Sequence, residues 1–200
     1  MIRRREVISE MNRPRFIAQA GMIAALHAAL TLAGLQMPAQ LGWGPVQLRV
    51  SEAFTVVALF TPAAVPGLAV GTAIANATML AHVGAVGMLD VVFGSIATLL
   101  GAAWTWRFRA SRYRALLGPV IANALIVPAY LPVLLGALGI EQTPIMGIDS
   151  GSGFIAVYAL GVVTVGLGQA IVVYGLGAPL AGLLRAHATV LKWDGEAPGS

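Results

Sequence analysis

Two carboxylates, Glu52 and Asp90, are the residues of this sequence whose type and spacing most clearly suggest chemistry. They flank residues 53–89, which carry no formal charge and are interrupted by two prolines. A charged side chain within apolar helical segments is costly in a bilayer, so such residues are usually functional or buried against partners. We therefore interpret residues 46–97 as the substrate-binding end of a small membrane transporter.

Further polar side chains accompany the two carboxylates. Amides interrupt the apolar runs, and a buried amide needs hydrogen-bond partners. A guanidinium, an imidazole and an indole fall at the same predicted outer level. Together these groups suit a flat ligand rich in N–H donors, such as a guanine-like base held between aromatic faces. The candidate substrate-binding residues are Glu52, Asp90, Asn76, Arg49, Trp43, His82, Asn123 and Gln169.

A structural interpretation of the same residues stays open. Glu52 and Asp90 also fit carboxylates at helix starts near the membrane surface, with Glu52 paired to Arg49. Trp43 also fits an aromatic anchor at the interface.

The elements that position these residues are predicted from long apolar runs. The chain has 200 residues, of which 58% are hydrophobic and 10% charged, whereas soluble domains average about 25% charged residues. A membrane-spanning helix needs about 20 apolar residues. We therefore predict an all-α, polytopic membrane protein forming a single transmembrane domain over residues 1–200. A cytoplasmic lead-in covers 1–14, a cytoplasmic tail covers 185–200, and six helices lie at about 15–35, 51–64, 66–83, 89–106, 115–138 and 153–184.

The basic residues predict the orientation of the chain. Eleven of the 12 fall before the first helix, between helices four and five, or after the last helix, and Arg49 alone falls on the other side. Because cytoplasmic loops carry an excess of Lys and Arg, both termini are predicted to be cytoplasmic. The net charge of +4 and the pI near 10.1 are explained by this topology, so nucleic-acid binding is not expected.

Catalytic chemistry is poorly supported by the sequence. There is no cysteine, and the three histidines, His27, His82 and His187, are too scattered for metal-ligand spacing. No G-x-S-x-G nucleophile motif and no phosphate-binding loop of the Walker type is found. We expect neither an enzyme nor a protein that holds a cofactor or metal or uses ATP by itself.

A row of small residues, Ala20, Ala24 and Ala28, follows one side of the first predicted helix. Small residues four apart let a second helix approach closely in lipid. The row is equally consistent with docking of another protein and with packing inside this one.

Four stretches taken together resemble the QueT family in order along nearly the whole chain. They are L-R-V-S-E-A-F-T at 48–55, P-x-x-x-P-G-L-x-x-G-x-x-I-A-N at 62–76, L-D-V-V-F-G-S-I-A-T-L-L at 89–100 and G-Q-A-I-V-V-Y-G-L-G-A-P-L at 168–180. The resemblance implies the substrate-binding S component of an energy-coupling factor (ECF) transporter in the prokaryotic cytoplasmic membrane. It implies import of queuosine precursors, which are 7-deazaguanine bases: the 7-cyano or 7-aminomethyl base, or queuine.

The resemblance also implies partners. A T subunit would dock on the first helix through an A-x-x-x-A row, matched here by Ala20, Ala24 and Ala28, and two separate ATPase subunits would hydrolyse ATP. Three other functions remain as alternatives: an autonomous ion-coupled transporter whose two carboxylates carry protons, an S component for another vitamin or nucleobase, and an integral-membrane enzyme. A purely structural protein would leave the polar residues of the spans without a role.

Overall fold

The computed structural model describes residues 13–35, 48–139 and 152–187, which are helical almost throughout. Helix α1 is followed by a 3₁₀ helix, then by α2 and the short α3 with a 3₁₀ turn. A π-helical turn leads into α4, and α5 and α6 follow before a second π-helical turn and α7. The bounds are Arg13–Leu35 for α1, Val50–Leu59 for the 3₁₀ helix, Ala64–Asn76 for α2, Met79–Val83 for α3, Gly84–Gly87 for its turn, Asp90–Gly94 for the first π turn, Ser95–Arg107 for α4, Arg112–Ala137 for α5, Phe154–Val172 for α6, Val173–Gly177 for the second π turn and Ala178–Ala186 for α7.

These segments fall at the positions of the six predicted helices, and the all-helical fold class is confirmed. Among the described residues, three helical stretches are long and apolar enough to cross a membrane: Arg13–Gly34, Ala64–Gly87 and Phe154–Ala186. A fourth is added if the two parts of α5, bent by 55°, are taken as one span. The number of six spans therefore stays a prediction.

The 3₁₀ helix Val50–Leu59 lies at the centre of the bundle. Eight of its residues are buried, and it contacts α1, α2, α4, α5, α6 and α7. Runs of 3₁₀ helix longer than three or four residues are uncommon and often mark strain or a functional hinge. With a rise of about 2.0 Å per residue, ten residues extend about 20 Å, against about 15 Å for an α-helix.

Helices α1 and α2 approach each other closely because α2 presents glycines to α1. A Cβ atom built on Gly67 would lie 2.7 Å from the carbonyl oxygen of Ala20, and one on Gly71 would lie 2.6 Å from that of Ala24. Ala24 and Ala28 are buried in this contact. Ala24 and Ala28 therefore pack inside the protein, with Ala20 half-buried at the edge of this contact, and this burial favours internal packing over docking of a partner on the row.

Helix α5 bends within its second half. It contains Pro119, Pro128 and Pro132, and the bend of 55° falls between Ala129 and Leu131. Proline removes a helical hydrogen bond and clashes with the preceding turn, so a kink at this place has a direct cause. The residue at the bend, Tyr130, is buried against the rest of the bundle.

Candidate functional site

Asp90 is the centre of a buried polar cluster that joins four parts of the chain. The Tyr130 hydroxyl of α5 donates to Asp90 Oδ1 at 2.7 Å, and Arg49 Nη2 lies 3.4 Å from the same oxygen. The side-chain amide of Asn76, at the end of α2, donates to the Asp90 carbonyl at 2.8 Å. Asp90 is only 2% exposed. The predicted association of Asp90, Asn76 and Arg49 is present in the structure.

Gly94 makes room for this cluster. It ends the π-helical turn that begins at Asp90, and a Cβ atom on it would lie 2.7 Å from Asn76 Nδ2 and 3.1 Å from Asp90 Oδ1. Single π-helical turns within α-helices are frequent at functional sites. Here the turn and the glycine together let Asp90 accept hydrogen bonds from two directions.

Arg49 pairs with Asp90, which differs from the alternative in which Glu52 was its partner. Burial by itself would lower the pKa of the Arg49 guanidinium, but the Asp90 carboxylate, Tyr130 and the Glu52 carboxylate raise it, and the net result lies above the ordinary value. Arg49 therefore stays charged.

Glu52 is a buried carboxylate with an open hydrogen-bonding position. It is 2% exposed, and its Oε2 has no hydrogen-bond partner among the described residues. A buried carboxylate oxygen without a hydrogen-bond donor carries a free-energy cost. A donor supplied by a bound molecule would remove that cost.

Asn123 and Gln169 add two buried amide oxygens. The Asn123 amide nitrogen donates to the Pro119 carbonyl at 3.0 Å, but Asn123 Oδ1 and Gln169 Oε1 have no partner within the described part of the chain. The helices that carry them pack together, with Gly161 beside Pro128 and Gly166 beside Ala124. Both helices also contact the 3₁₀ helix that carries Glu52.

Two of the predicted site residues do not join these groups. His82 lies on α3 and is exposed, so it is not part of the buried set. Trp43 falls outside the described residues.

Tyr130 is the site residue that sequence reasoning missed. A tyrosine between two prolines in an apolar helix was an available signal, since a buried hydroxyl needs a hydrogen-bond partner. A second buried chain of polar groups was also not anticipated: His27 Nε2 lies 3.1 Å from the Thr72 hydroxyl, which lies 3.1 Å from the Thr98 hydroxyl.

The arrangement is suited to binding. Its open groups are mainly acceptors, and within the described residues no group of three or more His, Cys, Asp or Glu side chains is placed to hold a metal ion. The elements that carry this site all lie within residues 17–186, which match the family model described as QueT transporter. The chain belongs to the QueT transporter family. Comparisons with curated proteins and with solved structures gave no match.

Membership of the QueT family implies a role in transmembrane transport, a small-molecule substrate and a place in a membrane. The apolar helices of the bundle agree with this role. The family match covers every described candidate residue, from Arg49 to Gln169, but does not by itself assign a task to any of them.

Proposed function

We propose that this QueT family member is the substrate-binding S component of an ECF-type importer for a queuosine precursor. The observation that carries the proposal is a set of buried acceptor oxygens without partners among the described residues, Glu52 Oε2, Asn123 Oδ1 and Gln169 Oε1, in the same bundle as the Asp90 cluster. A 7-deazaguanine base offers ring N–H groups and an exocyclic amine to such acceptors. Glu52 and Asp90 lie at the end of the bundle that the distribution of arginines predicts to be outside, with both termini in the cytoplasm, whereas Asn123 and Gln169 lie deeper in the predicted spans.

The proposed complex divides its tasks among several chains. The S component binds the base at the outer face, and a T subunit with two ATPase subunits supplies the energy for its delivery to the cytoplasm. The sequence has no nucleotide-binding motif of its own, which agrees with ATP hydrolysis on separate subunits. An autonomous ion-coupled transporter is the second candidate, favoured by the buried carboxylate of Glu52, which could carry a proton.

Uptake of a labelled precursor by proteoliposomes distinguishes the two candidates. Vesicles that contain this protein with the T subunit and both ATPases, with ATP on the side of the ATPases, should accumulate the base. Vesicles with this protein alone should not accumulate it. Uptake by the protein alone that is abolished by collapse of the proton gradient would establish the ion-coupled alternative instead.

The T subunit is proposed to dock on the outward side of α1, one step round from the buried alanine row. Gly21, Ala25 and Ala29 are spaced four apart and are exposed, and a Cβ atom on Gly21 would meet nothing within 4 Å. Small residues at this spacing allow close helix contact in lipid, where packing drives association. Gly21, Ala25 and Ala29 thus have the same four-residue spacing as Ala20, Ala24 and Ala28, but they are exposed, whereas Ala24 and Ala28 are buried.

Ala25→Leu should therefore prevent assembly with the T subunit while leaving substrate binding unchanged. The added side chain would hold the two helices apart, and co-purification of the subunits from detergent measures the effect. Ala103→Leu is the matched control, because Ala103 is an exposed alanine on α4. Normal assembly of the Ala25→Leu protein, or equal loss with both variants, would remove the outward side of α1 as the docking surface.

A further inference from the structure

We propose that the arginine-rich end of the bundle binds the phosphate group of an anionic phospholipid, which Arg112 at the start of α5 and Arg185 on α7 hold between them. This inference goes beyond the proposed function, since it depends on the place of the chain in a membrane and not on the substrate or the ATPase subunits. It follows from an excess of positive charge, from open N–H groups on both arginines and from aromatic side chains at the same end.

The positive charge at this end has no acidic counterpart in the helices that carry it. Residues 107–114 contain four arginines, and Arg185 lies in the last turn of α7. Residues 95–139 and 152–187, which include α4 to α7, contain no Asp or Glu. A surface with excess positive charge attracts anions, and anionic headgroups are the anions concentrated at a membrane surface.

Arg112 and Arg185 are brought together along one side of α7. Arg112 Nη2 donates to the carbonyl oxygen of Ala178, the first residue of this helix. Arg185 follows seven residues later, and residues seven apart lie on the same face of an α-helix, two turns from each other. The Arg112 guanidinium therefore lies at the beginning of the helix face on which Arg185 stands.

Both arginines keep donors for a ligand. The Nε atoms of Arg112 and Arg185 are buried and have no hydrogen-bond partner among the described residues. A guanidinium has five N–H donors in a planar fork, which matches two oxygens of a phosphate group. Because a buried donor without an acceptor carries a free-energy cost, a phosphate that accepts from both groups would stabilise this end of the bundle.

The connection between α4 and α5 meets α7 at a hydrophobic cluster. Phe108 of the connection and Leu184 of α7 both pack against a cluster that includes Leu116 and Ala181. This packing brings residues 107–114 to the end of the bundle where α7 ends, so the other arginines of the connection add to the positive potential around the site.

Aromatic side chains favour a lipid over a soluble anion. Trp104 Nε1 donates to the Arg114 carbonyl at 2.9 Å, and Arg109 Cζ lies 3.8 Å from the centre of the Trp106 ring. Tryptophan is enriched at membrane–water interfaces, so these contacts favour a position of the arginines at the level of the phospholipid headgroups. Basic pockets between membrane helices bind anionic headgroups on the cytoplasmic side, which is the side that the arginines predict for this end.

Thermal unfolding of the full-length protein in neutral detergent, with added phosphatidylglycerol or with phosphatidylcholine of the same acyl chains, tests the inference. Phosphatidylglycerol should raise the Tm and phosphatidylcholine should not, because a ligand that binds only the folded protein stabilises it by mass action. In the double variant Arg112→Gln with Arg185→Gln, the affinity for phosphatidylglycerol, taken from the dependence of the Tm on lipid concentration, should fall roughly tenfold to a hundredfold, the loss expected from one charge-assisted hydrogen bond.

Arg13→Gln with Arg15→Gln is the matched control. It removes the same two charges from the same predicted side of the membrane, but on α1, and should keep most of the wild-type affinity. Arg185→Gln alone leaves the contact of Arg112 with Ala178 in place and should also weaken the lipid, so the test does not depend on the folding of the double variant.

Equal stabilisation of the wild-type protein by the two lipids would overturn the inference. Equal losses in the control pair and in the Arg112 and Arg185 variants would show that net charge alone matters and would remove these two arginines as a site. The same Tm increase with inorganic phosphate as with phosphatidylglycerol, at equal phosphate concentration, would contradict a lipid ligand. Unchanged lipid affinity of Arg185→Gln with loss of assembly with the T and ATPase subunits would assign the arginines to a protein partner instead. None of these outcomes depends on which base the protein binds, so failure of the proposed function leaves this test intact.

Discussion

Asp90→Asn is expected to lower the free energy of unfolding by about 3 kcal/mol, the low end of the cost of removing one partner of a buried ion pair. The change leaves the Arg49 guanidinium, only 16% exposed, without its carboxylate. It also replaces the acceptor of the Tyr130 hydroxyl with an amide. Thermal or denaturant unfolding of the purified protein in detergent measures the loss.

A double-mutant cycle identifies the cause of that loss. If the unpaired guanidinium is responsible, Arg49→Gln combined with Asp90→Asn should be more stable than Asp90→Asn alone, because the uncompensated charge is gone. Tyr130→Phe is the control that removes one hydrogen bond to Asp90 and leaves the ion pair in place. Additive losses in the cycle would contradict an energetic link between Arg49 and Asp90.

Gly71→Ala should destabilise the bundle by about 1 to 3 kcal/mol, the usual cost of overpacking a filled interior. Its new methyl group would lie 2.6 Å from the Ala24 carbonyl oxygen and 3.1 Å from the Ala24 Cα atom. These are backbone atoms of the neighbouring helix, so the clash can be relieved only by moving α1 away from α2. A lowered Tm of the purified protein is the expected result.

Substitution of glycine by alanine at Gly21, on the outward side of α1, is the control. A Cβ atom on Gly21 meets nothing within 4 Å, so Gly21→Ala adds helix propensity without a clash and should leave the Tm unchanged or raised. Equal effects of Gly21→Ala and Gly71→Ala would show that the α1–α2 contact is looser than described.

The positions of the helices and of the buried polar groups were predictable from the sequence. Uncharged runs bounded by arginines and prolines placed the helical segments, because a bilayer imposes length and apolarity on any span. Glu52, Asp90, Asn76, Asn123 and Gln169 stood out because polar groups are costly in such runs, and the structure buries all five.

The direction in which α1 faces was not predictable from its small residues alone, because lipid and protein interior are equally apolar. The available signal was His27, a polar residue of this helix that is buried against Thr72 on the same side as Ala24 and Ala28. The structure buries Ala24 and Ala28 and exposes Ala25 and Ala29.

Features that depend on contacts distant in sequence were likewise missed. The pairing of Arg49 with Asp90 depends on where the chain enters the 3₁₀ helix, and the conformation of that helix itself depends on the six helices packed around it. Tyr130 contacts Asp90 from the place where α5 bends between its prolines. His82 was grouped with the site by its level along the bundle, which gives no information about whether it faces inward.

Calorimetric titration of the purified wild-type protein with 7-deazaguanine bases, including queuine, tests the central claim most directly. Guanine is the control, since it shares the donor-bearing edge of the base but has a nitrogen at position 7 and no substituent there. Tight binding of a 7-deazaguanine base and none of guanine is the result expected of an S component for queuosine precursors. No binding of any of these bases would contradict the assigned substrate, and would direct the search to other vitamins and nucleobases for the same buried acceptors.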